Sequence, residues 1–388
     1  MASLQSAPES SDRRATVEAI ARGAEADTEA LVAISSPSGD IAAADAALEL
    51  CAERLPDAAV IERVPCSSPG HAQDMIARVP GSGRRRILLL GHVDTVIAHA
   101  DHLPLTREGD RWTGSGSVDM KGGVALALGV ARAAAVRRES FAELAVLLVV
   151  DEEWRLRPFA HAERFAGYDA CLCFEAGERT AAGEEGVVVR RKAAGTLQVS
   201  ARGRAAHAGS NPDAGANALL ALADAALAAA ALHNPRGDLE LSVVPSRISS
   251  GGAINVVPAE GQLHIDVRAA SETSFDRVIE AIPASSRGAS IDIELVRCWP
   301  GMNSRAATAP VLEAAGVRLG RPIIGVGRGG ASDASHLAST VPVTVDGLGP
   351  RGGHAHSPDE FVHRPSLLER AEVAMAILET LLDEQTVL

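Results

Sequence analysis

The sequence predicts an α/β fold that is interrupted by a smaller α+β unit. Along most of the chain, apolar strand segments alternate with helical segments, which is the layout of an α/β domain. Residues 145–150 read AVLLVV, and a continuous apolar run is typical of a central strand covered by helices on both faces. Between residues 191 and 300 the predicted order changes to β-α-β-β-α-β, the split βαβ arrangement. A length of 388 residues also favours two domains.

Hydrophobic periodicity places the individual elements. The strands predicted for the α/β part are 59–64, 74–79, 86–91, 145–150, 169–174 and 341–346. The helices predicted for this part are 14–35, 41–55, 120–136, 307–320 and 364–383. The inserted unit is predicted to contain strands 196–203, 239–249, 260–268 and 290–298 and helices 216–232 and 272–282. The expected domain organisation is therefore 1–190 and 301–388 for the two parts of the α/β domain and 191–300 for the insert.

Composition excludes several classes of partner. The formal net charge of −13 argues against binding to nucleic acid or to an anionic membrane surface. We find no apolar stretch of signal-peptide length near the N-terminus and no run long enough to span a membrane, so a cytoplasmic location is expected. The five cysteines show no framework spacing, which favours reduced thiols.

The helix predicted at 216–232 is apolar nearly all round. Such a helix needs cover on more than one side. The inserted sheet supplies one side, and a second subunit would supply another, so we expect a homodimer that forms through the insert. The alternative is a helix of high intrinsic propensity whose alanines face solvent.

The segment 87–96, ILLLGHVDTV, ends a buried strand with His92 and Asp94. Side chains two residues apart on a strand face the same way, and ligands of open α/β sheets bind beyond the carboxyl ends of the strands. One role for this pair is a metal-binding imidazole whose other ring nitrogen is held by a carboxylate. By itself, the pair also fits a structural hydrogen bond.

Four more acidic positions follow other elements. Asp119 lies in a glycine-rich turn before a predicted helix, where it would cap the helix or meet a ligand. Glu152 and Glu153 follow strand 145–150, and adjacent carboxylates are costly unless a cation neutralises them. Glu175 ends another apolar strand.

Two histidines, His354 and His356, lie in a late loop before the C-terminal helix. Each acidic or histidine position has an ordinary structural explanation when it is considered alone. Such an explanation does not account for their expected convergence on one edge of one sheet. A set of two histidines and several carboxylates suits two zinc ions.

Nine segments carry a resemblance to a known family. They are GHVDTV, GSGSVDMKGG, DEE, FEAG, RAAHAGSNPDAGANA, INVVPAEG, DVRA, GRGGASDASH and GGHAHSPDEFV. By these segments, which occur in the family's order, the chain resembles the dinuclear zinc metallopeptidases. This family comprises glutamate carboxypeptidases, aminoacylases, acetylornithine deacetylases and succinyl-diaminopimelate desuccinylases. The resemblance covers most of residues 87–362 and implies a zinc-peptidase-type catalytic domain with an inserted lid or dimerisation domain.

The resemblance implies a ligand set for two zinc ions, with Co²⁺ or Mn²⁺ as possible substitutes. His92 and Glu175 would hold one ion, Glu153 and His356 would hold the other, and Asp119 would bridge them. His356 is favoured over His354 because a polar-Pro-acid stretch follows the metal histidine in this family.

The resemblance also implies the groups that act on the substrate. Glu152 would be the general base, Asp94 would orient a metal ligand, and His207 would help to hold the oxyanion, often in the partner's active site. The implied substrate contacts are Asn255, Arg268, Gly329 and Gly330. Arg268 is the best candidate for binding a carboxylate.

The expected activity is hydrolysis of an amide or peptide bond that releases an amino acid with a free carboxylate. The substrate would be a small peptide or an N-acyl amino acid, and a deacylase or desuccinylase is the alternative. A non-catalytic relative would lack a ligand or the base, and neither is missing here. The match of 325–330, GVGRGG, to a dinucleotide fingerprint is rejected because too little chain follows it.

Two bulky segments depart from the family pattern. Trp154 and Arg155 follow the two glutamates, where many relatives have small residues, which makes the shape of the pocket uncertain. Trp299 replaces a basic residue that some glutamate-specific relatives have before the proline. Trp299 either leaves room for an apolar substrate group or packs at the domain hinge.

Overall fold

A computed structural model describes residues 7–383 of the chain, with side chains from residue 12 onward. Before the insert, its helices are α1 (Ala7–Val32), α2 (Ile41–Glu53) and α3 (Gly122–Ala135). The strands of this part are β1 (Val60–Pro65), β2 (Gln73–Pro80), β3 (Arg86–His92), β4 (Thr106–Glu108), β5 (Arg111–Thr113), β6 (Glu143–Val149), β7 (Ala170–Cys173), β8 (Glu178–Arg179) and β9 (Glu185–Arg191).

The remaining elements form the insert and the second part of the α/β domain. The insert comprises β10 (Ala193–Arg202), α4 (Ala218–Ala230), β11 (Ser242–Ser250), β12 (Glu260–Ala269), α5 (Asp276–Ala281), β13 (Ser285–Ser286) and β14 (Ala289–Trp299). After it come β15 (Met302–Asn303), α6 (Arg305–Leu319), β16 (Ile323–Arg328), α7 (Asp333–Leu337), β17 (Val343–Val345), β18 (Gly352–Gly353), β19 (Phe361–His363) and α8 (Pro365–Leu382).

The central sheet of the α/β domain has the order β1-β2-β6-β3-β7-β17. Its last four strands are parallel, and β1 and β2 are antiparallel to their neighbours. Buried apolar side chains cover both faces of this sheet, which explains why its strands are apolar without alternation. Because parallel strands end at the same edge, the residues that follow β3, β6 and β7 meet there.

The insert forms a separate antiparallel sheet in the order β11-β12-β10-β14-β13. Both α4 and α5 pack with its strands around a second core. The predicted split βαβ unit is therefore confirmed, with one additional short strand. Only one side of α4 is covered: Ala221 and Leu222 are buried, whereas Leu220 and Leu227 are 43% and 72% exposed.

Two smaller sheets frame the edge of the central sheet, in the orders β15-β9-β16 and β18-β19-β5-β4. Several of their strands contain only two or three residues, too few to show a period of two, and the sequence did not predict them. The first helix begins at Ala7. The prediction placed its start at residue 14 because the first turns of the helix lack apolar periodicity. Among residues 7–383, no helix is long and apolar enough to cross a membrane.

Candidate active site

His92 ends β3 with its side chain almost completely buried. Its Nδ1 lies 3.1 Å from the backbone oxygen and 3.3 Å from Oδ1 of Asp94. Its Nε2 faces the opposite way, 3.2 Å from Asp119 Oδ1 and 3.7 Å from Glu175 Oε1. The aspartate therefore fixes the ring orientation and leaves Nε2 directed at the carboxylates.

The Asp94 carboxylate also organises the two adjacent glutamates. Its oxygens accept hydrogen bonds from the backbone N–H groups of Glu152 and Glu153, at 3.2 and 3.1 Å, and from the hydroxyl of Ser38. Burial raises the pKa of Asp94, but the hydrogen bonds to His92 and Ser38 lower it below its usual value overall. One buried carboxylate thus holds β3 and the turn after β6 together.

Asp119 lies in the turn Ser117–Lys121, which precedes α3. Its side chain does not cap that helix, so the capping interpretation is wrong. The turn is instead fixed by the buried Glu360, whose carboxylate accepts hydrogen bonds from the N–H groups of Gly116, Val118 and Asp119 at 2.9, 2.9 and 3.0 Å.

The two oxygens of Asp119 join two groups of potential ligands. Oδ1 lies near His92, and Oδ2 lies 3.2 Å from Nε2 of His356. That same nitrogen is 3.2 Å from Glu153 Oε2. Within each group the ligand atoms lie within 4.8 Å of one another; the groups are His92, Asp119 and Glu175, and Asp119, Glu153 and His356. A shared carboxylate between two such groups is suited to a dinuclear site.

The two loop histidines differ in their contacts. His356 contributes its imidazole to the cluster, whereas the ring of His354 packs edge-on against Phe361 at a centroid distance of 5.7 Å. Both have a positive φ, 59° for His354 and 66° for His356, a conformation that is uncommon outside glycine. The loop holds this backbone to direct His356 at the carboxylates.

The electrostatics of the cluster suit a bound cation. Burial raises the pKa of Glu153 and, with the neighbouring Asp119, raises that of Glu175 to about 8. Hydrogen bonds to Asp119 and Glu153 raise the pKa of His356 to about 10. Among the described residues, buried Oε1 of Glu153 has no hydrogen-bond partner. A bound divalent cation can neutralise carboxylates that are crowded in this way, in place of protons. These residues therefore fit a metal cofactor.

A cavity of about 510 Å³ opens beside the cluster. The α/β domain contributes Val96, Asp119, Glu152, Glu153, Trp154, Arg155, Leu156, Glu175, Gly330, Ala331 and His356 to its walls. The insert contributes Thr196, Arg268 and Arg297. Burial raises the pKa of Glu152, and the nearby carboxylates of Asp333, Glu175 and Glu153 raise it further.

Other predicted site residues lie outside these walls. His207 and Asn255 are exposed on adjoining loops of the insert, where the backbone N–H of Ala208 donates to the backbone carbonyl of Asn255 at 2.9 Å. The Nδ1 of His207 accepts from the backbone N–H groups of Gly209 and Ser210. Gly329 precedes the cavity-lining Gly330 but does not itself line the cavity.

The structure resolves two of the questions raised by the bulky segments. Trp299 is 1% exposed, and its ring lies 4.8 Å from that of His336, so it packs at the hinge. Trp154 is 63% exposed at the cavity wall. Arg155 is fully buried between Asp151 and Asp333.

Sequence analysis missed two residues that contact this region, Glu360 and Arg297. Glu360 follows His356 by four positions in the same loop, and a buried acid so close to a candidate ligand is the available signal. Arg297 precedes Trp299 by two positions on one strand, so the two side chains share a face. Residues 325–328 of this segment lie within β16, so the first two glycines of the match are strand residues and not part of the connection that leads to α7.

A largely buried cluster of carboxylates with one buried and one exposed histidine, beside a cavity that holds a further glutamate, defines a metal-dependent hydrolase. The sequence model of peptidase family M20/M25/M40 matches residues 88–380, and the chain belongs to this family. The prediction of a metal-dependent hydrolase is thereby confirmed.

Two curated relatives and one solved structure illustrate the similarity. The chain is 27% identical over 327 residues to carboxypeptidase G2 from Pseudomonas sp. (strain RS-16), covering 79% of this chain and 76% of the relative. It is 27% identical over 343 residues to succinyl-diaminopimelate desuccinylase from Magnetococcus marinus, covering 81% and 88%. Aminopeptidase PepT from Bacillus cereus ATCC 10987 shares the fold, with a TM-score of 0.75 and 18% identity over 94% of this chain and 99% of that one.

Proposed function

We propose that the chain is a zinc-dependent hydrolase that cleaves an amide or peptide bond and releases an amino acid with a free carboxylate. The observation that carries this proposal is the position of Asp119, whose two carboxylate oxygens each face a different histidine. Because this carboxylate joins two groups of ligands, two metal ions are favoured over one. Two histidines combined with carboxylates are a typical ligand set for zinc.

In the proposed site, His92 and Glu175 would hold one zinc ion, Glu153 and His356 would hold the other, and Asp119 would belong to both ligand sets. When bound, the two ions would polarise a carbonyl group and lower the pKa of a water molecule.

The chain's own residues move the protons and position the substrate. Glu152 takes a proton from the attacking water and delivers it to the departing amine. Its place at the cavity wall, with its N–H held by Asp94, supports this role. Arg268 and the backbone around Gly330 bind the carboxylate of the leaving amino acid.

These contacts do not specify which acyl group the substrate carries. The similarity to a carboxypeptidase supports a peptide-like substrate, and the similarity to desuccinylases supports an N-acyl amino acid. Exposed Trp154 and Leu156 at the cavity wall, together with Val96, supply an apolar surface for the acyl group. Either substrate presents the same scissile amide to Glu152.

We also propose that the chain forms a homodimer through the insert, in which His207 and Asn255 complete the partner's active site. Strand β11 forms one edge of its sheet, and Val244 and Ile248 on it are both 46% exposed. A partly apolar edge favours pairing with a second chain. Because His207 does not line the cavity of its own chain, action in the partner's site would explain its position.

The test of the activity is amine release from a panel of N-acyl amino acids and dipeptides by zinc-loaded protein, before and after chelation. Release that stops on chelation and returns with zinc is expected. If protein with two bound zinc ions releases no amine from any member, the proposed activity is wrong.

Action across the dimer is tested by mixing two inactive variants, His207→Ala and Glu152→Gln. If His207 acts on the partner's site, a mixed dimer contains one site with both residues intact, and activity returns after subunit exchange. If His207 acts within its own chain, each site lacks one residue and the mixture stays inactive. Light scattering of the unmixed protein would establish that it is a dimer.

A further inference from the structure

Three arginines line the cavity, and they differ in their partners. Arg155 is fully buried and forms ion pairs with Asp151 and Asp333. Its charge is more than balanced by two carboxylates, so it has a structural role in the cavity wall.

Arg268 also has a partner within the insert. Its Nε and Nη2 donate to the two oxygens of Asp266, each at 3.0 Å. This bidentate pair is neutral as a whole, although it orients the guanidinium and leaves Nη1 without a bond to Asp266.

Arg297 is different because it forms no ion pair with any residue between 12 and 383. Its Nε is buried and has no hydrogen-bond partner among these residues. The rings of Trp299 lie 5.1 Å from its guanidinium carbon, which supports the side chain but does not satisfy its N–H groups. Arg297 is thus the cavity arginine that has no carboxylate within ion-pair distance among the described residues, although Glu152, Asp266 and Glu153 attract its charge from farther away.

A partly buried guanidinium without an ion-pair partner is unfavourable because it has lost part of its hydration. Burial lowers the pKa of Arg297, but arginine stays protonated at neutral pH. A buried N–H without a partner has lost its hydrogen bonds to water and gained none in the protein. A bound anion would offset this loss, and the α/β domain does not supply one within ion-pair distance.

The strand register places the two arginines of the insert together. Arg297 on β14 lies opposite Thr196 on β10, and Thr196 lies opposite Asp266 on β12. Arg268 is two residues further along β12, so its side chain is on the same face. This face presents two guanidiniums to the cavity, and the carboxylate of Asp266 on the same face is paired with one of them, that of Arg268.

Arg297 also bears on the interpretation of Trp299. With Trp299 in place of a basic residue, a positive charge that could bind an acidic substrate group is missing at position 299 itself. Two positions earlier on the same strand face, Arg297 supplies a positive charge that lines the cavity. The packing of Trp299 at the hinge leaves this charge accessible from the cavity.

We propose that Arg297 determines specificity by binding a second anionic group of the substrate, beside the carboxylate bound at Arg268. This inference rests on the proposed function and narrows its substrate class to dianionic N-acyl or peptidyl amino acids. The second carboxylate belongs either to the side chain of the released amino acid or to the acyl group, and the two arms of the test distinguish these sources.

The test compares the kcat/KM of substrates that differ by one charge and are otherwise matched in shape. The first arm uses N-acetylglutamate and N-acetylglutamine, and the second uses N-succinyl-leucine and its succinamoyl analogue. In at least one arm, we expect zinc-loaded wild-type protein to favour the acid by about 10-fold or more. In that arm, Arg297→Met should lose about 10- to 100-fold on the acid and less than about three-fold on the amide.

Two further variants separate charge from packing. Arg297→Lys keeps a cation and should retain part of the preference for the acid. Arg202→Met removes an exposed arginine at the far end of β10 and should change neither substrate, which makes it the matched control. Equal losses on acid and amide in Arg297→Met, or no preference for the acid in either arm of the wild type, would overturn the inference.

A binding measurement keeps this inference separate from the proposed activity. Calorimetry with zinc-loaded protein compares glutarate with its monoamide, glutaramate, in the wild type and in Arg297→Met. Tighter binding of glutarate that disappears in the variant would support the inference even if no substrate is hydrolysed. Hydrolysis without any preference for the second charge would leave the proposed function intact and reject the role of Arg297.

Discussion

The two sides of the cavity are built in different ways. On one side lie the candidate metal ligands, which we call the metal wall: His92, Asp119, Glu153, Glu175 and His356. The other side, the arginine wall, consists of Arg268 and Arg297. Three residues of the metal wall lie at or after the ends of buried parallel strands, and the other two, Asp119 and His356, lie in loops. The arginine wall lies on the partly exposed face of a separate sheet.

This difference separates chemistry from selection. A metal site requires its ligands to be fixed within a fraction of an ångström, and a buried sheet provides that rigidity. Substrate recognition needs only a small number of charged groups at the facing surface, and these can change without disturbing the central sheet. We therefore expect changes in the metal wall to abolish the reaction and changes in the arginine wall to alter which substrates react.

The largest expected effect is that of Asp119→Ala. This change removes the carboxylate that joins the two ligand groups, so the protein should lose bound metal and all detectable activity. Metal analysis after dialysis checks the prediction, with the exposed Asp110→Ala as the control. Two ions retained per chain would reject the bridging role.

Glu152→Gln should separate metal binding from turnover. Glu152 lines the cavity but belongs to neither ligand group, so the variant should keep its metal. Loss of the proton acceptor should reduce kcat by about 10²- to 10⁴-fold. Parallel metal analysis and rate measurements test this, and a rate near that of the wild type would show that another group is the base.

The metal wall was largely predictable from the sequence. His92, Glu153 and Glu175 each come at or directly after an apolar strand, and the carboxyl ends of parallel strands lie at one edge. The insert was predictable for the same reason, because its strands and helices are long enough to show their periodicity.

The contacts that hold the site residues in place were not predictable from the sequence. Glu360 is 241 to 244 residues away from the N–H groups that it binds, and no local pattern indicates such a contact. The importance of Arg297 depends on the pairing of Arg268 with Asp266, which leaves one arginine without a partner among the described residues. Sequence indicates which residues can act, whereas their partners follow from tertiary packing.

A moderate effect is expected for Glu360→Gln, which changes how the metal wall is held. The amide can accept fewer of the three N–H bonds that fix the turn of Asp119, so metal affinity should fall about 10- to 100-fold. Competition with a chelator measures this change. The neighbouring exposed Asp359→Asn is the control, and an unchanged affinity in Glu360→Gln would mean that the turn holds its shape without this carboxylate.

The smallest effect is expected at the hinge between the two walls, where His336 lies between Phe159 and Trp299 with ring centroids 5.2 and 4.8 Å away. Burial lowers the pKa of His336 from 6.5 to about 4. The nearby carboxylate of Asp333 opposes this shift, and the positive charge of Arg155 adds to it. The unfolded chain therefore binds a proton between these two pH values that the folded chain does not bind.

Folding stability from this group is fully present above pH 6.5 and is lost as the pH falls toward about 4. The loss is at most about 3 kcal/mol, and partial solvent access reduces it. His336→Phe keeps an aromatic ring in the hinge but cannot take up a proton, so its free energy of unfolding should fall less steeply over this range. Urea titrations of metal-free wild type and variant measure this difference without a contribution from metal release. Parallel pH profiles would show that His336 is already charged in the folded protein, and the hinge would then tolerate a cation between its two aromatic rings.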